Sequence, residues 1–402
     1  MPTGFQPIER DVPTIVTGQR GPSDARTSVA LKPDVQDKIV MVRPTAAPFT
    51  VLQTKVRERK SVSQWQHYWL EKDEMPRVAR LSGAILVGAT SLAVQAGHGA
   101  RIPLNALVKN RTTREVILVI ARTTDTCGTI VRGIGGINGA AMADGDELEI
   151  LGTAHEDGAA SQTAQSVVEV GEFNYTQILR QAIDFTGRQM NTDFFGGNDM
   201  ANERAWAAIE FSKQIEKCSF FGHRSTRTGT NGKLQTTFGG LEFFIKSNVF
   251  DLNGNKPTLR MIDEWLEVAM KLGKGGNENG NGTKMLFCSA RWLTEFDWFA
   301  KDRIETVPES TVFGLSVKRY VSSHGSILIT KSPALEGGEQ SGYAFLVDLN
   351  HVQGRYHQGR DTQVYKNRQA NDIDGQKDEI IGDLGLQVEA EYAHGMLKGL
   401  PL

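Results

Sequence analysis

The sequence predicts an α+β chain built as an arm, an extended loop, an inserted β module and a helix-bearing body, and three observations carry that prediction. Residues 1–48 hold Pro2, Pro7, Pro13, Pro22, Pro33 and Pro44 with no apolar period long enough to bury a face, and such a stretch cannot fold alone. Residues 81–160 change to short β-prone runs separated by Gly, Asn and Asp, the spacing of a small sheet or barrel. Only then comes a long helical period, after which strands alternate with helices.

After the arm, residues 55–74 read as a charged aromatic hairpin. Val62 alternates with polar neighbours, and Trp65, Tyr68 and Trp69 crowd one end, a strand-like pattern. Arg57, Arg59 and Lys60, with Lys55, face an acidic return of Glu71, Asp73 and Glu74. That polarity can pair across the hairpin or with an adjacent subunit. The aromatic area of Trp65, Tyr68 and Trp69 suits interface anchors, with packing at the hairpin's own base as the competing reading.

In the inserted module the β-prone runs cover residues 84–87, 92–94, 107–108, 115–120, 129–131 and 147–151, and Asp144-Gly145-Asp146 marks a tight turn. Beyond it, Phe194-Phe195-Gly196-Gly197 breaks the chain, making Gly196 and Gly197 hinge candidates. The helix over residues 199–221 is expected to pack through Ala201, Ala205, Ala208, Ile209, Ser212 and Ile215. Gly222 stops it and is the third hinge candidate. Thr258 caps a helix with Leu259, Ile262, Leu266 and Ala269 on one face. Residues 273–282 form a polar tip, 284–288 a buried strand, and Ser289 caps a helix carrying Trp292, Leu293, Phe296 and Ala300. Strands follow at 312–317, 326–330 and 343–348, and the last 50 or so residues return to extended, alternating sequence.

Composition excludes several classes of function. With 45 basic and 47 acidic residues the formal net charge is -2, so the chain is not built to condense nucleic acid. Cys127, Cys218 and Cys288 are odd in number and widely spaced, which argues against a disulfide framework or a zinc site and points to a reducing compartment. No stretch approaches the ~18 apolar residues of a membrane span, and no apolar signal segment follows Met1. The run Gly133-Ile134-Gly135-Gly136-Ile137-Asn138-Gly139 fails as a dinucleotide loop because Asn138 stands where the third glycine belongs and no helix follows. It reads as a turn. Gly232-Lys233 is followed by Leu234 and Gly273-Lys274 by Gly275, so neither is a phosphate loop. The histidines form no metal-binding pair, Asp144, Asp146, Glu147 and Glu149 lack the later glutamate of a calcium loop, and no Gly-x-Ser-x-Gly elbow occurs. The expectation is no catalytic site, no cofactor and no metal.

Taken together, several segments resemble the major capsid proteins of tailed bacteriophages. They are the turn at residues 152–158, Phe173-Asn174-Tyr175-Thr176-Gln177-Ile178 with residues 185–187, the long helix before Phe220-Phe221-Gly222, Gly239-Gly240-Leu241, and residues 385–394. The resemblance covers most of the chain. It implies the fold common to double-stranded-DNA phage capsids: an N-terminal arm at 1–47, an extended loop at 48–80, a peripheral domain with a spine helix at 161–236, an axial domain at 237–350 and a return to the peripheral domain at 351–402. The β-rich domain at 81–160 departs from the plainest version of that fold.

The resemblance further implies a subunit that assembles itself, as hexamers and pentamers, into the icosahedral shell around packaged DNA, within the virion and built in the host bacterial cytoplasm. A separate scaffolding protein, a portal and decoration proteins would be its partners, and no membrane is involved. Contact with DNA would be weak and non-specific, through arm residues such as Arg10, Arg20 and Arg26, with pairing of these arginines to acidic residues of neighbouring subunits as the competing reading, since Glu9, Asp11 and Asp24 intersperse them. The inter-subunit contact candidates are Arg57, Arg59, Lys60, Trp65, Tyr68, Trp69, Glu71 and Glu74. Two other readings compete: an encapsulin-like compartment shell, which shares the fold, and an α/β enzyme with a β accessory domain, which would need a convergent polar constellation.

Overall fold

The chain divides into two compact units, Gln66–Asn174 and the combination of Met1–Trp65 with Tyr175–Leu402. The computed structural model describes residues 47–192, 199–271, 283–299, 304–307 and 317–401. Along it, helix α1 (Pro48–Val56) and strand β1 (Lys60–Val62) precede strand β2 (Gln66–Glu71). Strands β3 (Val170–Tyr175) and β4 (Gln177–Thr186) follow the insertion, then the long helix α2 (Asp199–Phe221), and β5 (Val352–His357) and β6 (Gly375–Val388) lie towards the C-terminal end.

The expected local hairpin over 55–74 does not form. Residues 48–56 are helical instead, with Pro48 at the first helical position, where its missing N–H costs nothing, and with Phe49 and Leu52 buried one turn apart. β1 then pairs in parallel with β5, Lys60 opposite Arg355, and β2 pairs with β3. Tyr68 meets Phe173 with ring centroids 5.7 Å apart, Gly171 lies against Leu70, and Lys72 pairs with Glu169 at 2.9 Å. One member of each pair descends as the other rises, so the ribbon is antiparallel. Its return arm is therefore β3, and the whole β module lies between the two arms. Alternation along a segment announces a strand but cannot name a partner roughly a hundred residues away.

Within Gln66–Asn174 a five-stranded sheet and a two-stranded sheet enclose one core of Leu81, Ile102, Val108, Ile117, Val119 and Leu148, among others. The run at 84–87 is not a strand. Ile85 makes a single bridge to Met142, and Leu86 and Val87 are exposed. Gly145 adopts a left-handed φ of 82° in the turn expected there.

In the other unit, β1, β5, β6 and β4 lie side by side in that order, and Gln363–Tyr365 also pairs with β6. α2 packs on this sheet, but its buried stripe differs from the expected one. Ala207, Phe211 and Ile215 join Leu179, Ile183, Phe185, Ile380 and Leu384 in the core, while Ala201, Ala205 and Ala208 are exposed. Alanine is small enough for either face, so the large Phe211 sets the helix's rotation. Thr258 caps its helix through a bond from Met261 N as expected, and Thr283–Cys288 lies inside a seven-stranded sheet. The alternation expected towards the C-terminus gives way to continuous burial in β6, because that strand is covered on both faces. The polar tip at 273–282, Gly196, Gly197, Ala300, most of the strand at 312–317 and the arm lie outside the described residues.

Candidate assembly surfaces

Helix α2 carries a carboxyl group in its buried half. Glu216 is fully buried, accepts a bond from Ser332 Oγ at 2.6 Å through one oxygen and faces Thr50 N at 3.3 Å through the other. Thr50 lies in the first turn of α1, where N–H groups lack helical partners and the helix dipole favours negative charge. One side chain thus ties α1, α2 and the turn Pro333–Leu335 together. Burial pushes its pKa up to about 7 against the bonds from Ser332, Thr50 and Phe49, which pull it down. Phe49 extends the junction, its ring centroid 5.1 Å from that of Phe220 in a tilted contact and 5.2 Å from that of Phe287 edge to face.

The sequence-predicted contact residues fall into two groups. Arg57 forks onto Glu389, with both bonds at 2.9 Å, and reaches Asn350 O; Arg59 lies 3.6 Å from Asp361. Trp69 is 7 % exposed, stacks on His67 and donates to Glu71 Oε1 at 2.8 Å. These groups are engaged within the chain. Tyr68, 66 % exposed, and Leu70, 73 % exposed, share the open face of the ribbon, and Trp65 is half-covered by Tyr175 at 5.1 Å. Lys60 and Glu74 are exposed and make no ion pair among the described residues.

Gly222 sits where three backbone segments meet. Its N–H donates to Cys218 O, its carbonyl accepts from Gly240 N, and a Cβ there would lie 2.5 Å from Cys218 O and 2.7 Å from Phe238 O.

The glycine run at 133–139 curls around a carboxylate of its own chain. Glu115, fully buried, takes Arg132 in a fork of 2.9 and 2.6 Å and also accepts from Ala140 N at 3.0 Å and Gly133 N at 3.3 Å. Burial works against its charge, and these partners together hold its pKa below the usual range. Gly133, Gly135 and Gly136 all have left-handed φ, which lets so short a loop close. The anion such a loop could cradle is already part of the chain.

Other ionisable groups are likewise occupied by backbone. Lys284 Nζ, buried in the seven-stranded sheet, donates to Ala269 O and Ala393 O, and burial brings its pKa down to about 8. His394 accepts from Asp348 N through Nδ1 and faces Glu389 O through Nε2, so Nε2 bears the hydrogen; burial lowers its pKa to about 4. Burial raises the thiol of Cys127 to about 11 and that of Cys288 to about 12, far from a reactive thiolate. Among the described residues no cluster of His, Cys, Asp and Glu could hold a metal ion, and no helix is long and apolar enough to cross a membrane.

A sequence model described as SU10 major capsid protein matches residues 15–401. The chain belongs to that family. A relative of this SU10 major capsid protein family member is the major capsid protein of Pseudomonas phage PaMx41, 25% identical over 243 residues. The match takes in 59% of this chain and spans 58% of that relative's length. Among solved structures, the capsid of a native GTA particle is 10% identical with a TM-score of 0.50, covering 95% of this chain and 100% of that one. At that identity the likeness shows a shared capsid fold and nothing more. The SrpI encapsulin of Synechococcus elongatus PCC 7942 is 12% identical with a TM-score of 0.42, covering 58% of this chain and 78% of its own.

The bounds of the SU10 family match, residues 15 and 401, lie on either side of Gln66–Asn174. Sequence reasoning missed Glu216, Glu115 and Arg132. The signal for Glu216 was present: it lies in the same helical stripe as Ile215, Ser219 and Phe220. Nothing in the spacing of Glu115 and Arg132 announces their pairing.

Proposed function

We propose that this chain is the repeating subunit of a closed phage capsid shell around packaged DNA, and that the exposed face of the β2–β3 ribbon is one of its contacts with neighbouring copies. The membership in a major capsid protein family supports the first part. The single observation carrying the second is the apolar face formed by Tyr68 and Leu70 on a ribbon of only two strands. Such a ribbon is marginal alone and gains from a covering layer. Covering each side chain contributes about 2 kcal/mol, and in a closed shell that small gain recurs at every copy.

Self-association is the partner this surface supports best. A separate scaffolding protein, a portal and decoration proteins belong to the same reading, as does weak electrostatic contact of the arm with DNA, and the eight contact candidates and three hinge glycines are part of it. Assembly would take place in the host cytoplasm, with the domain bounds set out from the sequence as its working frame. No catalytic role is assigned.

The test is to express the chain and examine it by electron microscopy and sedimentation, wild type beside Tyr68→Ser/Leu70→Ser. Wild type should form closed particles, and the double variant should stay soluble, keep its cooperative unfolding and lose particles at equal concentration. Particles of unchanged yield from the variant would remove the ribbon from the interface. A wild type that stays monomeric under every assembly condition would remove the shell.

A further inference from the structure

Strand β4 leaves one edge of its sheet open. It is ten residues long, pairs with β6 in an unbroken register from Gln177 opposite Leu384 to Thr186 opposite Gly375, and stands last in the strand order. Among the described residues no strand pairs with its other edge, although Thr236 of the strand Leu234–Thr237 bonds to Thr176 O beside its start. In an antiparallel pair alternate residues turn N–H and C=O away from the partner, so this edge presents a ladder awaiting a strand. Native proteins blunt such edges with proline, bulges, short length or charged side chains. β4 has no proline or bulge and is long, and its two charged residues, Arg180 and Asp184, lie near Glu379 and Lys377 of β6.

A groove of about 730 Å³ runs along that edge. It is lined by consecutive β4 residues from both faces of the strand, Ala182, Ile183, Asp184 and Phe185 among them, which places it beside the backbone rather than over one face. Helix α2 forms the other wall with Glu203, Trp206 and Glu210. Every charged side chain in the lining is acidic. Glu210 is engaged by Lys213 and Asp184 lies 3.9 Å from Lys377, while Glu203 makes no ion pair among the described residues.

We propose that this edge is completed by β-strand addition from residues 38–43 of the arm. Lys38-Ile39-Val40-Met41-Val42-Arg43 has four successive apolar residues, three of them strand formers, without Gly or Pro, and Pro44 ends any ladder directly after it. Its basic ends match the acidic wall, and its apolar residues suit Trp206 and the strand. Position agrees as well. Val42 is tied within about 17 Å of Ala47 by the extended length of five residues. Ala47 adjoins Thr50, which touches Glu216, and Glu216 to Glu210 spans about 9 Å of helix. Glu216 lies on another side of α2 from the groove wall of Glu203, Trp206 and Glu210, so the segment must pass round the helix to enter the groove of its own chain, and a neighbouring copy in a shell can supply it instead. Main-chain bonds would give the affinity and the acidic wall the choice of segment.

The test is amide hydrogen exchange at single-residue resolution over residues 177–186 in the full chain, wild type against Val40→Pro/Met41→Pro, which removes a donor from each alternation of the segment. Alternate amides of β4 should exchange at least about tenfold faster in the double variant. Protection already present in isolated wild-type subunits assigns the segment to its own chain, and protection appearing only in particles assigns it to a neighbour; either supports strand addition. If the variant forms no particles, a peptide of residues 36–45 added to the isolated variant should slow the same amides, and the doubly proline-substituted peptide should not. Identical exchange in wild type and variant, or a peptide without effect on the variant, overturns the proposal. Only the particle measurement rests on the shell reading: wild type that never assembles would sink that reading and leave the peptide result standing.

Discussion

Two buried carboxyl groups respond to pH with opposite sign. Glu216 has a pKa raised from 4.5 to about 7 by burial, so the folded chain binds its proton more tightly than the unfolded chain does. Its contribution to stability is full below about pH 4.5 and is lost as the pH rises towards 7, a change of about 3 kcal/mol. Glu216→Gln should flatten that slope: denaturant unfolding at pH 5 and pH 8 should differ less in the variant, and the variant should be the more stable at pH 8. An unchanged pH 5 to pH 8 difference would show that another group carries it. Glu115 runs the other way. Its pKa is held below 4.5, so its contribution is present above that value and is lost as the pH falls through the folded pKa.

At the scale of elements, the Glu115–Arg132 pair ties the glycine loop at 133–140 to the β module. The Arg132 side chain is 9% exposed and Glu115 is 0% exposed. Removing the carboxylate leaves a buried guanidinium uncompensated, at a cost of about 3–5 kcal/mol. Glu115→Ala should therefore open the residues around 133–140 first, seen as faster amide exchange there and a lower unfolding midpoint for Gln66–Asn174, with exchange in α2 unchanged. Equal loss in both units would mean that they do not unfold separately. The ribbon illustrates the limit of local reading. The strand character of β2 was visible in its crowded aromatics, but which of them face out was not: Trp69, expected as a contact anchor, is buried, and Leu70 shares the open face with Tyr68. Nor was its pairing with β3, because strand pairing is settled by the energetics of contacts far apart in sequence. In α2 the helix itself was legible from end to end, yet its buried face was misread: alanines carry little burial energy, and Phe211 decided the rotation.

For the whole molecule, near-neutral charge predicts weak binding to duplex DNA. Isolated subunits titrated with fluorescent duplex at physiological salt should bind no tighter than about micromolar, and what binding there is should fall steeply with added salt. Salt-resistant, sequence-selective binding by the subunit would contradict a passive shell wall. A dependence on the arm arginines alone would fit it.

Composition and hydrophobic period determined by themselves that this chain has a β insertion, a long helix and a lobe in which strands alternate with helices. The capsid resemblance rested instead on particular segments such as Phe173-Asn174-Tyr175-Thr176-Gln177-Ile178 and Gly239-Gly240-Leu241, which are likewise local stretches of sequence. Only the tertiary structure decided which strands meet, that the insertion lies between the arms of the ribbon, that Glu216 and Glu115 are buried among donors, and that β4 ends its sheet with an open edge. Those features depend on residues brought together from distant parts of the chain. No window of sequence contains both halves of such a contact.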